Sequence, residues 1–119
     1  MRKALFLASI VAALAGPLAA HHGDTNYELD KPFTITGVVT QFRFGNPHVQ
    51  ITFEVTDAQG RVATWMAQGT SPNMLVHRGW SNVTLKPGDT ITITGNRARN
   101  GSNTMKMNDL FMDGKDLNH

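Results

Sequence analysis

The clearest pattern in the chain is the strict alternation of VQITFEV, residues 49–55. Val49, Ile51, Phe53 and Val55 share one face, and Gln50, Thr52 and Glu54 share the other, as a half-buried strand requires. Ahead of it, FTITGVVTQFRF (residues 33–44) is rich in β-branched and aromatic residues, with Gly37 placed where a bulge or sharp bend is expected. GNPH marks the turn between the two. TDAQG then closes a hairpin, and RVATWMA (residues 61–67) answers as a third strand. The alternation stops at TSPNMLVHRGW. There Ser71 can cap a helix, Pro72 suits its first turn, Met74, Leu75 and Arg78 follow at helical spacing, and Gly79 can end it, so residues 72–78 are predicted helical. LKPGD is a turn, TITITG (residues 90–95) a fourth strand, RARNGSN a turn centred on Asn100-Gly101, and TMKMNDLFM (residues 104–112) a fifth strand.

Three strands, a short helix and two more strands is the order of the OB-fold, a small five-stranded Greek-key barrel. A long, bent first strand fits, because strand 1 of such a barrel serves both sheets. The expected core face comprises Val49, Ile51, Phe53, Val55, Ile91 and Ile93. The barrel is assigned to residues 33–112, preceded by a polar lead-in at 21–32 and followed by a polar tail at 113–119.

The first twenty residues do not fit this alternation. Arg2 and Lys3 precede an uncharged apolar run that ends in small residues, the layout of a secretory signal peptide. The run falls short of the ~20 residues of a membrane span, and Gly16-Pro17 breaks it near its end. Cleavage after Ala20 puts Leu18 at −3 and makes His21 the first mature residue; cleavage after Ala19 puts Pro17 at −3, a poorer residue there. Export also changes the charge. The whole chain carries 11 basic and 9 acidic residues, and losing Arg2 and Lys3 leaves the two signs balanced. A neutral domain lacks the positive footprint that nucleic-acid binding needs. The absence of cysteine excludes disulfides and thiolate chemistry. Export without cysteine suits the bacterial periplasm.

Candidate chemistry then concentrates on histidine. If His21 is the mature terminus, its α-amino group and imidazole can chelate one metal ion, with the His22 imidazole beside them. Amine and imidazole nitrogens in a tetragonal arrangement favour Cu(II), the strongest binder among divalent first-row ions. If the chain begins at Ala20, a histidine in third position creates an amino-terminal Cu(II) site through backbone amides, so either cut predicts copper affinity. His48 shares parity with Gln50, Thr52 and Glu54, on the polar face just after Asn46-Pro47. It is either a turn residue or a third ligand that meets the terminal pair across the barrel mouth. His77 and His119 read as solvated, and Trp65 and Trp80 as barrel packing. Met105 and Met107 share a face of the fifth strand and read as core; the other reading is that, with no cysteine present, they are the soft ligands that could hold Cu(I). No nucleophile elbow, His-Glu-x-x-His, phosphate-cradling loop or dinucleotide fingerprint occurs, and no enzyme is predicted.

The segments AHHG, NPHVQITFEV, TWMAQGTSPNMLVHRGW, LKPGDTITITG and ARNGSN together resemble a family of small exported bacterial proteins, domain of unknown function 6152. Members typically begin with His-His after the signal and carry N-P-H, R-G-W and K-P-G-D segments. The resemblance implies export and a single domain, and it brings no activity with it. The architecture is also similar to that of the periplasmic copper chaperone of a heavy-metal efflux system, which holds Cu(I) with a His, two Met and a Trp. Here Met105-Lys106-Met107 and Trp65-Met66 echo parts of that site, but the Trp-x-x-Met-x-Met run is missing. Two functions follow as expectations. One is a periplasmic copper-binding, buffering or chaperone module using His21, His22 and His48; the other is a non-catalytic envelope module that holds a protein or small ligand, with the histidines incidental.

Overall fold

The computed structural model describes residues 25–118. The expected signal segment 1–20, His21, His22 and His119 lie outside the described residues.

β1 (Tyr27–Arg43) is the long strand that organises the others. Its first part pairs antiparallel with β4 (Thr90–Ala98), from Tyr27↔Ala98 to Val38↔Thr90. Its last part pairs with β2 (Gln50–Thr56), from Val38↔Glu54 to Arg43↔Gln50. One strand therefore serves both sides of a barrel. The bulge that lets it bend lies between Val39 and Gln41, not at Gly37. Gly37 is glycine for a different reason: a Cβ there would stand 2.6 Å from the Glu54 carbonyl oxygen and 2.7 Å from Phe53 Cδ2. The strand also starts six residues ahead of the expected 33, at Tyr27. The polar run YELDKP hides it from the alternation, and a register irregularity between Tyr27 and Pro32 sets it off from the regular ladder.

β2 and β3 (Val62–Gln68) form a hairpin in continuous register from Gln50↔Gln68 to Thr56↔Val62. The Asp57 carboxylate organises its turn, accepting from the backbone N–H of Gln59 and of Arg61 and from Arg61 Nε, each at 2.9 Å. The Arg61 backbone bond is the main cause that holds the Asp57 carboxyl below its ordinary range. A depressed folded-state value stabilises the fold above the unfolded carboxylate pKa, and the contribution is lost as pH falls through the folded value. Asp57→Ala should therefore lower the thermal midpoint at neutral pH and have little effect at strongly acid pH, which paired melting curves would show.

α1 (Pro72–Val76) begins as expected, with Ser71 accepting from Met74 N at 3.3 Å and Pro72 in the first turn. It stops two residues short of 78 and ends in a turn, in which Trp80 N donates to the Leu75 carbonyl and Gly79 adopts φ +85°. β5 (Thr104–Met112) pairs antiparallel with β4 and, at Met66↔Thr104 to Gln68↔Lys106, parallel with β3. That last pairing closes a five-stranded OB-type barrel.

The segment assigned to a polar tail is folded. β6 (Lys115–Asp116) returns along β5 as Met112↔Lys115 and Phe111↔Asp116. Asp113 at φ +53° and Gly114 at φ +75° make the two-residue turn between them, a conformation Asp-Gly favours. Trp80 Nε1 donates to the Leu117 carbonyl at 2.6 Å and fixes this segment over the core.

Within the barrel Val49, Ile51, Phe53, Ile91 and Ile93 are buried, as the alternation requires, and Val55 packs partly buried against the same cluster. Met105 and Met107 belong to that core, so they fill space between the strands. Among the described residues no helix is long and apolar enough to cross a membrane.

Candidate functional site

His48 sits in the connection between β1 and β2, two residues before Gln50 opens the strand. Its neighbour Val49 is fully buried and held by two backbone bonds, Val49 N to Thr70 O at 3.0 Å and Gly69 N to Val49 O at 2.8 Å. The peptide between Asn46 and Pro47 is cis. Anchoring Val49 inward turns the adjacent His48 outward, and it is exposed. The polar-side placement read from the sequence is correct, although His48 lies in the loop and not on the strand. His77, the C-cap of α1, is also exposed. Among the described residues no three His, Cys, Asp or Glu side chains come together as metal ligands.

The start of the described chain reaches the same end of the barrel. Gln68, which pairs with Gln50, accepts a hydrogen bond from the Tyr27 hydroxyl at 3.1 Å. Tyr27 is buried against Ala98, its partner on β4. Next to it, Arg99 N donates to Asn26 O at 2.8 Å and Arg99 Nε to Thr25 O at 2.9 Å. The buried Asn96 side chain donates to Glu28 O at 2.8 Å and accepts from Asn108 at 2.9 Å. Residues 25–28 are thus tied to β3, β4 and the β4–β5 turn. Sequence reasoning missed these tethers. Their only local sign is the cluster of polar residues in NRARN, since each joins positions far apart in the chain.

Between residues 25–27 and residues 98–100, with Ser102 and Thr104, lies a cleft of about 480 Å³. In the same turn, Arg97 donates to the Gly101 and Ser102 carbonyls and to Asn103 Oδ1. Its guanidinium carbon stands 5.0 Å from the centre of the Trp65 ring, and Phe33 packs on that ring at 5.7 Å.

The fold is similar to that of a mitochondrial single-stranded DNA binding protein of S. cerevisiae, Rim1, with a TM-score of 0.53 and 8% identity over 70% of this chain and 93% of that one. It is similar also to a small single-stranded DNA-binding protein from Streptomyces coelicolor, with a TM-score of 0.52 and 18% identity over 70% of this chain and 91% of that one. At such identities the likeness is one of fold. No curated protein matches the sequence. The family described as "Family of unknown function (DUF6152)" matches residues 8–107, and the chain belongs to it.

Proposed function

We propose that the protein is an exported, non-catalytic module that binds Cu(II) at its processed amino terminus, with His21, His22 and His48 as the nitrogen ligands. The supporting observation is the Tyr27–Gln68 hydrogen bond, which ties the start of the described chain to the strand end opposite Gln50, two residues from His48. Five residues carry the chain from His22 to Tyr27, a reach of at most about 17 Å when extended. His48 lies about 7 Å along the chain from Gln50, whose partner Gln68 holds the Tyr27 hydroxyl. An α-amine and imidazoles suit Cu(II) over the other divalent first-row ions.

The binding partner named for the two structural neighbours is not carried over. Trp65 is 9% exposed with Arg97 over its ring, and Trp80 is 3% exposed, so neither tryptophan offers a face on which a base can stack.

Mass spectrometry of protein recovered from the periplasm should show a chain that starts at His21, or at Ala20 for the alternative cut. Retention of Met1 would remove the chelate. Copper titration of the processed protein should give one Cu(II) per chain, with affinity falling at acid pH, because the amine and imidazoles must be deprotonated to bind. His48→Ala should weaken binding roughly tenfold or more, as losses around a metal site commonly do, with the melting temperature unchanged. A single Met placed before His21 moves the amine and should also weaken the site. If neither change alters copper affinity, the pair is a solvated terminus, and a protein- or small-ligand-binding envelope module is the better account.

A further inference from the structure

We infer that the cleft between residues 25–27 and the β4–β5 turn is a binding site for a small oxyanion, a carboxylate or phosphate group held by Arg99. Three observations carry this, and none depends on copper. The first is how Arg99 is held. Its backbone N–H and its Nε both bond the carbonyls of residues 25 and 26, which fixes the guanidinium at the cleft wall. Both Nη atoms are without a protein partner among the described residues, leaving the paired donors that match two oxygens of one carboxylate or phosphate.

The second observation is the chemistry of the lining. Among the described residues no carboxylate lines the cleft, and its side chains include the hydroxyls of Ser102 and Thr104 and the amide of Asn100. Asn100 Oδ1 already accepts from Ser102 N, which leaves Nδ2 as the group it can offer. The third is the role of Arg97. It donates to the Gly101 and Ser102 carbonyls, so these acceptors are already engaged. Among the described residues the cleft thus sets hydroxyl and amide donors beside the arginine fork, with no carboxylate to compete for it. Its volume, about 480 Å³, accommodates a small solute. A single arginine is too little charge for a polyanion, whose binding rests on neutralising many phosphates.

The test is an amide chemical-shift titration of the processed protein with sodium phosphate and, separately, sodium acetate, each against sodium chloride at equal ionic strength. Saturable shifts at Asn26, Arg99, Asn100 and Ser102 with either probe are expected, and the probe that saturates first identifies the group. Arg99→Lys keeps the charge but loses the fork and should weaken binding several-fold; Arg99→Gln should abolish it. Unchanged amide dispersion in the barrel strands would show that both variants are folded. Shifts no larger than with chloride, or an unchanged response in Arg99→Gln, would overturn the assignment. So would tighter binding of an oligothymidylate than of phosphate that survives Arg99→Gln.

Discussion

Phe53→Ala should destabilise the protein by about 3–5 kcal/mol, the range for deleting a buried phenylalanine. Phe53 is fully buried at the centre of the barrel and pairs with Trp65 on β3 and with Val39 on β1. Its ring also lies 2.7 Å from where a Cβ on Gly37 would be, so it fills the space that the bent β1 leaves open. Small domains have only about 5–15 kcal/mol of stability, and this one substitution should remove a large part of it. Urea denaturation of the variant beside the parent measures the difference. A loss below about 1 kcal/mol would mean that the core is centred elsewhere.

The second large effect is expected at Gly95. A Cβ at this position would run into the Lys106 carbonyl oxygen and stand 2.9 Å from Met105 Cε. The methionine can move, but the carbonyl is part of the β4–β5 ladder, at the point where its register shifts between Thr94 and Gly95. Gly95→Ala should therefore cost about 3 kcal/mol, at the upper end of overpacking penalties, or prevent folding. Gly101→Ala is the useful contrast. Gly101 has φ +78° with open space around it, so only backbone strain of about 1–2 kcal/mol is expected. Equal stability losses in the two variants would show that steric overlap at Gly95 is not what demands glycine there.

What the sequence made legible was whatever local periodicity encodes. Residues 49–55 alternate because one face is buried, and the structure buries that face. Ser71-Pro72 opens a helix because a side-chain acceptor and a fixed φ suit its first turn, and α1 begins there. The misses have a common cause. Tyr27 and its neighbours look like a polar lead-in because what holds them is supplied by Gln68, Asn96 and Arg99, 41 to 74 residues away. Local pattern carries no trace of such contacts. The carboxy-terminal hairpin was different, since Asp113-Gly114 is a turn signal in itself, but the strand beyond it has only two residues and no alternation. At the candidate site, the outward orientation of His48 followed from parity with Val49. The route by which residues 25–28 approach the same barrel end did not, and the Arg99 cleft was invisible because only long-range bonds bring residues 25–27 against the β4–β5 turn.

The central claim is that the processed amino terminus and His48 hold one copper ion together, and paramagnetic broadening tests it most directly. Substoichiometric Cu(II) added to the processed, isotope-labelled protein should erase the amide signals of His48 and Gln50 along with those at the amino terminus. Signals from residues 57–60, at the far end of the β2–β3 hairpin about 20 Å away, should persist. Broadening confined to the terminal residues, with His48 and Gln50 unaffected, would contradict the claim.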